Sequence, residues 1–107
     1  MIQTARTSRA PVLVASTTII EATAPTTNLT ALSWALSQVR VVPVTDEIAR
    51  RASLLLKESR LSGHAHALDA VVAAIALAQP TRPAILTSDP GDLRRLVDGR
   101  AAVVPLT

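Results

Sequence analysis

Three acidic residues stand where a solvated helix face does not put them, and carboxylates are the groups with which proteins hold hard divalent cations. Glu21 comes shortly after the run Pro11-Val12-Leu13-Val14, Asp69 interrupts Ala67-Leu68-Asp69-Ala70-Val71-Val72-Ala73-Ala74, and Asp89 lies just beyond Ala84-Ile85-Leu86-Thr87. An ionised carboxylate in an apolar helix is costly unless it is paired, hydrogen-bonded or bound to a metal. Within one helical turn of Asp69 the only nearby candidate to neutralise it is His66, three residues earlier. Brought together, the acids make an oxygen-rich octahedral site of the kind that suits magnesium or manganese. Each also has an ordinary structural role open to it. Asp89 can cap a helix, Asp92 can sit in the first turn of that helix against its dipole, Glu21 can face solvent, and Asp69 can be a helix N-terminal acid. His64 and His66 have the spacing of a His-x-His ligand pair, or are surface histidines in a loop that contains Gly63.

The elements that must position these residues follow from the hydropathy pattern. Short β-branched runs alternate with longer helical patterns, the sign of parallel βαβ units. A strand at Pro11-Val12-Leu13-Val14 leads to a helix through Ile19, Ile20 and Glu21, with Ser16, Thr17 and Thr18 as N-cap candidates and Pro25 as its end. Asn28 caps a second helix with Leu29, Leu32 and Leu36 on one face. A strand over Val39 to Val44 runs into Thr45-Asp46-Glu47, a cap and two acids that open a helix with Ile48, Ala52, Leu55 and Leu56 on one stripe. Gly63 breaks that pattern, and an almost wholly apolar, buried helix is predicted over about His66 to Gln79. After a short Pro-containing connector come the strand Ala84-Ile85-Leu86-Thr87, a helix capped by Asp89 with Pro90 at its first position and Gly99 at its end, and a last strand at Ala102-Val103-Val104.

Composition narrows the function. The chain of 107 residues fits one domain, 1–107, with no Cys for a disulfide framework, a thiolate metal site or a nucleophile. This suits a reducing cytoplasm. The longest nearly apolar stretch, Ala67 to Ala78, falls short of the ~20 residues of a membrane span. The net charge of +3 is mild, and ten of the eleven cations are Arg, scattered apart from the pairs Arg50-Arg51 and Arg94-Arg95. With Trp34 as the sole aromatic residue, base stacking is close to excluded, and any nucleic acid must be held through its phosphates. Gly63, Gly91 and Gly99 are too far apart for a Gly-rich phosphate loop.

Two segments resemble a known family. Leu68-Asp69-Ala70-Val71-Val72-Ala73-Ala74 and Ile85-Leu86-Thr87-Ser88-Asp89-Pro90-Gly91-Asp92-Leu93, closing on Val103-Val104-Pro105, resemble the C-terminal half of PIN-domain proteins. The likeness is strongest to the VapC-like toxins of bacterial toxin-antitoxin pairs. It extends more weakly back through Val41-Val42-Pro43-Val44-Thr45 to Glu21. The resemblance implies an α/β fold, a three-layer PIN-like parallel sheet flanked by helices. It also implies a cytoplasmic, metal-dependent endoribonuclease using Mg²⁺ or Mn²⁺, with RNA and a cognate antitoxin as partners and a homodimer as the assembly. By motif position, Glu21, Asp69 and Asp89 match the catalytic, metal-holding acids, Asp92 an accessory acid, and Thr87 and Ser88 the supporting polar residues. Arg50, Arg51, Arg94 and Arg95 are candidates for phosphate contacts.

The front of the chain departs from the family pattern. A PIN domain begins with an apolar strand that ends in Asp and lies mid-sheet, whereas nothing before Pro11 resembles such a strand, and residues 1–10 look like the tail of a helix. The fold is therefore expected to be N-terminally incomplete, with a gap at the sheet centre or strands closed across it, and the cluster to lack its first acid. Two readings compete. One is a toxin ribonuclease, weak or inactive as this chain. The other is a non-catalytic PIN remnant acting only as an antitoxin-binding or structural module.

Overall fold

The computed structural model describes residues 2–4, 12–81, 83–87 and 90–105. Five strands form one sheet: β1 (Ile2–Thr4), β2 (Val12–Ala15), β3 (Arg40–Val42), β4 (Pro83–Thr87) and β5 (Ala102–Pro105), in the order β3-β2-β1-β4-β5. The expected parallel pairs are present, β2 with β3 and β4 with β5. The centre departs from expectation. Residues 2–4 are a strand rather than a helix tail, and this strand runs antiparallel to both neighbours, with Ile2 opposite Leu13 on one side and Ile85 on the other. The sheet thus has neither a gap nor strands closed across one. Its middle is mixed, because a short N-terminal segment pairs with the two ladders that would otherwise be left open. Since β2 and β4 both oppose β1, the other four strands share one direction and their C-terminal ends share one edge.

Among the described residues there are five helices: α1 (Thr17–Glu21), α2 (Leu29–Ser37), α3 (Asp46–Ser59), α4 (Gly63–Leu77) and α5 (Pro90–Val97). The predicted caps on α2 and α3 form. Asn28 accepts from the Ala31 N–H at 3.1 Å, and Thr45 accepts from the Ile48 N–H at 3.2 Å. At α1 the cap is used differently. Ser16 sits at the N-cap, but its hydroxyl accepts from the Val44 N–H at 3.3 Å, and its own N–H donates to the Val42 carbonyl at 2.9 Å, tying the end of β2 to the end of β3. That helix closes at Glu21, before Pro25, and the strand expected over Val39 to Val44 is confined to Arg40–Val42.

The core centres on α4. Ala70, Ala73, Ala74, Ile75 and Ala76 are buried in one cluster with Leu13 and Ala15 of β2, Ile85 of β4, Ala52 and Leu55 of α3, and Leu93, Leu96 and Val97 of α5. The small alanine side chains let α4 approach its neighbours closely. Gly63 does not break the pattern but begins α4, behind Ser62, whose hydroxyl accepts from the His64 N–H at 3.2 Å. The helical path is interrupted instead at His66 (φ −127°, ψ 17°), so regular helix runs from Ala67. Only its C-terminal half is buried; Leu68 remains 41% exposed. Helices α1 and α2 bury no residue. Among the described residues no helix is long and apolar enough to cross a membrane.

Candidate metal centre

The common edge formed by the strand ends positions the predicted residues. Glu21 closes α1, which follows β2; Thr87 is the last residue of β4; and Asp92 lies in the first turn of α5, which follows β4. Asp69 reaches the same region from the first turns of the regular part of α4. A cavity of about 110 Å³ is lined by Glu21, Asp69 and Thr87, with Thr18 and the apolar Val72, Ile85, Leu86 and Leu93. A second, of about 250 Å³, is lined by Glu21 and Asp69 together with His64 and Leu68. Glu21 and Asp69, far apart in sequence, therefore share both cavities.

Asp69 also belongs to a tighter group. One ligating atom from each of His66, Asp69 and Asp92 lies within 4.8 Å of the other two. His66 Nδ1 lies 3.2 Å from Asp92 Oδ2, between side chains that are 23% and 33% exposed. His66 stands at the kink just before the regular turns of α4, Asp69 lies in the first of those turns, and α5 brings Asp92 across to both. Glu21 lines the adjoining cavity without being one of the three.

No family model, curated protein or solved structure matches this chain. The chemistry of the site has to be read from its own donors. A cation of Mg²⁺ or Mn²⁺ size holds ligands at about 2.1 Å, so two donors on adjacent octahedral positions stand about 3.0 Å apart and two on opposite positions about 4.2 Å. The 3.2 Å contact is close to the adjacent spacing, and a donor set of two carboxylates and an imidazole is one that could hold a divalent ion.

The remaining predicted residues fall elsewhere. Asp89 and Ser88 lie outside the described residues. Arg50 and Arg51 form ion pairs along α3, Arg50 with Asp46 at 2.7 Å and Arg51 with Glu47 at 2.8 Å, all four side chains largely exposed. Arg95 donates to the Ser59 carbonyl at 2.9 Å, bracing α5 against the end of α3, and Arg94 is exposed on α5. His66 is the residue whose surroundings the sequence did not show. It is half-buried and in contact with Asp92, whereas His64 is exposed. The signal was its three-residue spacing from Asp69.

Proposed function

We propose that this chain is a metal-dependent endoribonuclease of PIN type, the toxin component of a toxin-antitoxin pair, acting in the cytoplasm as a homodimer under the control of a cognate antitoxin. The observation that carries the reading is the convergence of Asp69 and Asp92 beside a cavity that Asp69 shares with Glu21 and Thr87, at the edge where four strands end. In open α/β sheets this edge is where ligands bind. The fold on this reading is a three-layer PIN-like arrangement with a reversed central strand.

Asp69 and Asp92 would hold Mg²⁺ or Mn²⁺, joined by Asp89 as the motif implies. Such an ion supplies Lewis-acid polarisation of the scissile phosphate and lowers the pKa of a bound water. Glu21, exposed on the wall it shares with Asp69, accepts the proton of the attacking water. The Thr87 hydroxyl orients an acid or a phosphate oxygen from the end of β4. Arg94 supplies positive charge to the RNA backbone, and bases go unread for want of an aromatic platform.

One observation favours the second reading, a non-catalytic PIN remnant that binds an antitoxin or serves as a structural module. The central strand, Ile2-Gln3-Thr4, carries no acid to the site. Cleavage is therefore expected to be slow. The deciding experiment incubates the purified chain with single-stranded RNA and Mg²⁺ or Mn²⁺. Slow cleavage that stops with chelator and in Asp69→Asn supports the nuclease. A folded chain that cleaves nothing favours the remnant, and cleavage indifferent to both chelator and Asp69→Asn overturns the metal site as its cause.

A further inference from the structure

Resting on the metal-dependent reading above, we propose that His66 is itself a metal ligand, and that its imidazole makes the site prefer a first-row transition dication such as Mn²⁺ over Mg²⁺. Three observations carry this. The His66 Nδ1 to Asp92 Oδ2 distance of 3.2 Å is close to that of two adjacent ligands on one octahedral ion. Asp69 completes a group whose donor atoms all lie within 4.8 Å, from two helices fixed in one core. The three residues are neither sealed in the core nor fully exposed, so their donor atoms are not shut away from solvent ions.

The chemistry of the donors decides the metal. Mg²⁺ demands oxygen ligands in near-ideal octahedral geometry and gives up its waters reluctantly, whereas a nitrogen donor is well accepted along the transition series. An all-carboxylate site has no reason to discriminate strongly; exchanging one oxygen for imidazole nitrogen supplies one. The competing account of the same contact is an ion pair that only staples α4 to α5, and it predicts no selectivity.

The test uses the full chain, with Mn²⁺ alone as probe. Free Mn²⁺ is measured by electron paramagnetic resonance, and Mg²⁺ is titrated in as competitor. The wild type is expected to bind Mn²⁺ well ahead of Mg²⁺. His66→Gln, checked for native circular dichroism, is expected to lower Mn²⁺ affinity by about tenfold or more, since even groups behind a ligand cost that much when removed. Mg²⁺ affinity should move far less. A second measurement needs no variant: the chain has two histidines, so substoichiometric Mn²⁺ should broaden the His66 ring proton resonance ahead of that of His64. An unchanged Mn²⁺ to Mg²⁺ ratio in His66→Gln, or a His66 resonance that stays sharp at stoichiometric Mn²⁺, overturns the inference. Mn²⁺ binding through His66 in a chain that cleaves no RNA upholds it while removing the nuclease reading. Metal-dependent cleavage with unaltered selectivity in His66→Gln does the reverse.

Discussion

Ile85 shows how the site depends on ordinary packing. Its side chain is 0% exposed, in the middle of β4, opposite Ile2 on one side and Val103 on the other, and it forms part of the wall that Glu21, Asp69 and Thr87 share. Ile85→Ala removes three buried carbons next to an existing cavity, so its neighbours have room to shift and the loss should fall near about 3 kcal/mol, read as the drop in denaturant-unfolding free energy. Any metal-dependent RNA cleavage by the folded variant should slow as well, because Thr87 sits two residues on along the same face of the strand. The legibility of the site is mixed for physical reasons. Asp69 stood out because a carboxylate inside an apolar helix contradicts its surroundings, and Glu21 because it followed a strand. His66 did not, because histidine is at home on surfaces, and only the meeting of α4 with α5 gives it Asp92 as a neighbour.

At the scale of elements, two helices with equally good caps differ in what they are packed against. Helix α3 places Ala52 and Leu55 in the core, while α2 buries nothing and leaves Leu29 and Trp34 66% and 68% exposed. Thr45→Ala therefore acts on a helix whose docking is part of the global fold, and should lower global stability by about 1 kcal/mol. Asn28→Ala loses the same kind of hydrogen bond from a helix that frays on its own, so it should leave the global unfolding midpoint nearly unchanged and speed amide exchange only within α2. Equal shifts in the two midpoints would contradict this division. Both caps, the stripe on α3 and Pro90 at the start of α5 were legible in the sequence, since each is set by residues within one turn. The length of β3, the beginning of α4 and the end of α1 were not. Those limits are set by partners distant in the chain, as when the Ser16 hydroxyl turns to the Val44 N–H rather than to its own helix.

At the scale of the molecule the decisive element is the smallest. In the order β3-β2-β1-β4-β5, β1 is the sole hydrogen-bonded strand link among the described residues between the β2–β3 pair and the β4–β5 pair, and α4, packed on both β2 and β4, is a second bridge. Periodicity read in the sequence cannot reveal such a strand. Three residues are too few to show alternation, and the segment is a strand only because two ladders offer it partners. Gln3 lies opposite Val12 on one side and Ala84 on the other. Proline at that position carries no N–H, so one neighbouring carbonyl loses its partner, and the ring crowds a strand flanked on both sides. Gln3→Pro should therefore lower the unfolding free energy by about 2 to 3 kcal/mol, a large part of the roughly 5 to 15 kcal/mol that holds a domain together. It should also broaden the denaturant transition, because the two halves of the sheet would then lose their shared strand, rely more on α4 and unfold less cooperatively. Glu21 and Thr87 sit on opposite halves, Glu21 behind β2 and Thr87 at the end of β4, so the cavity they line together should loosen in parallel with that cooperativity, read as a fall in any metal-dependent RNA cleavage. A Gln3→Pro chain with an unaltered midpoint and slope would show that the sheet is held together without its central strand.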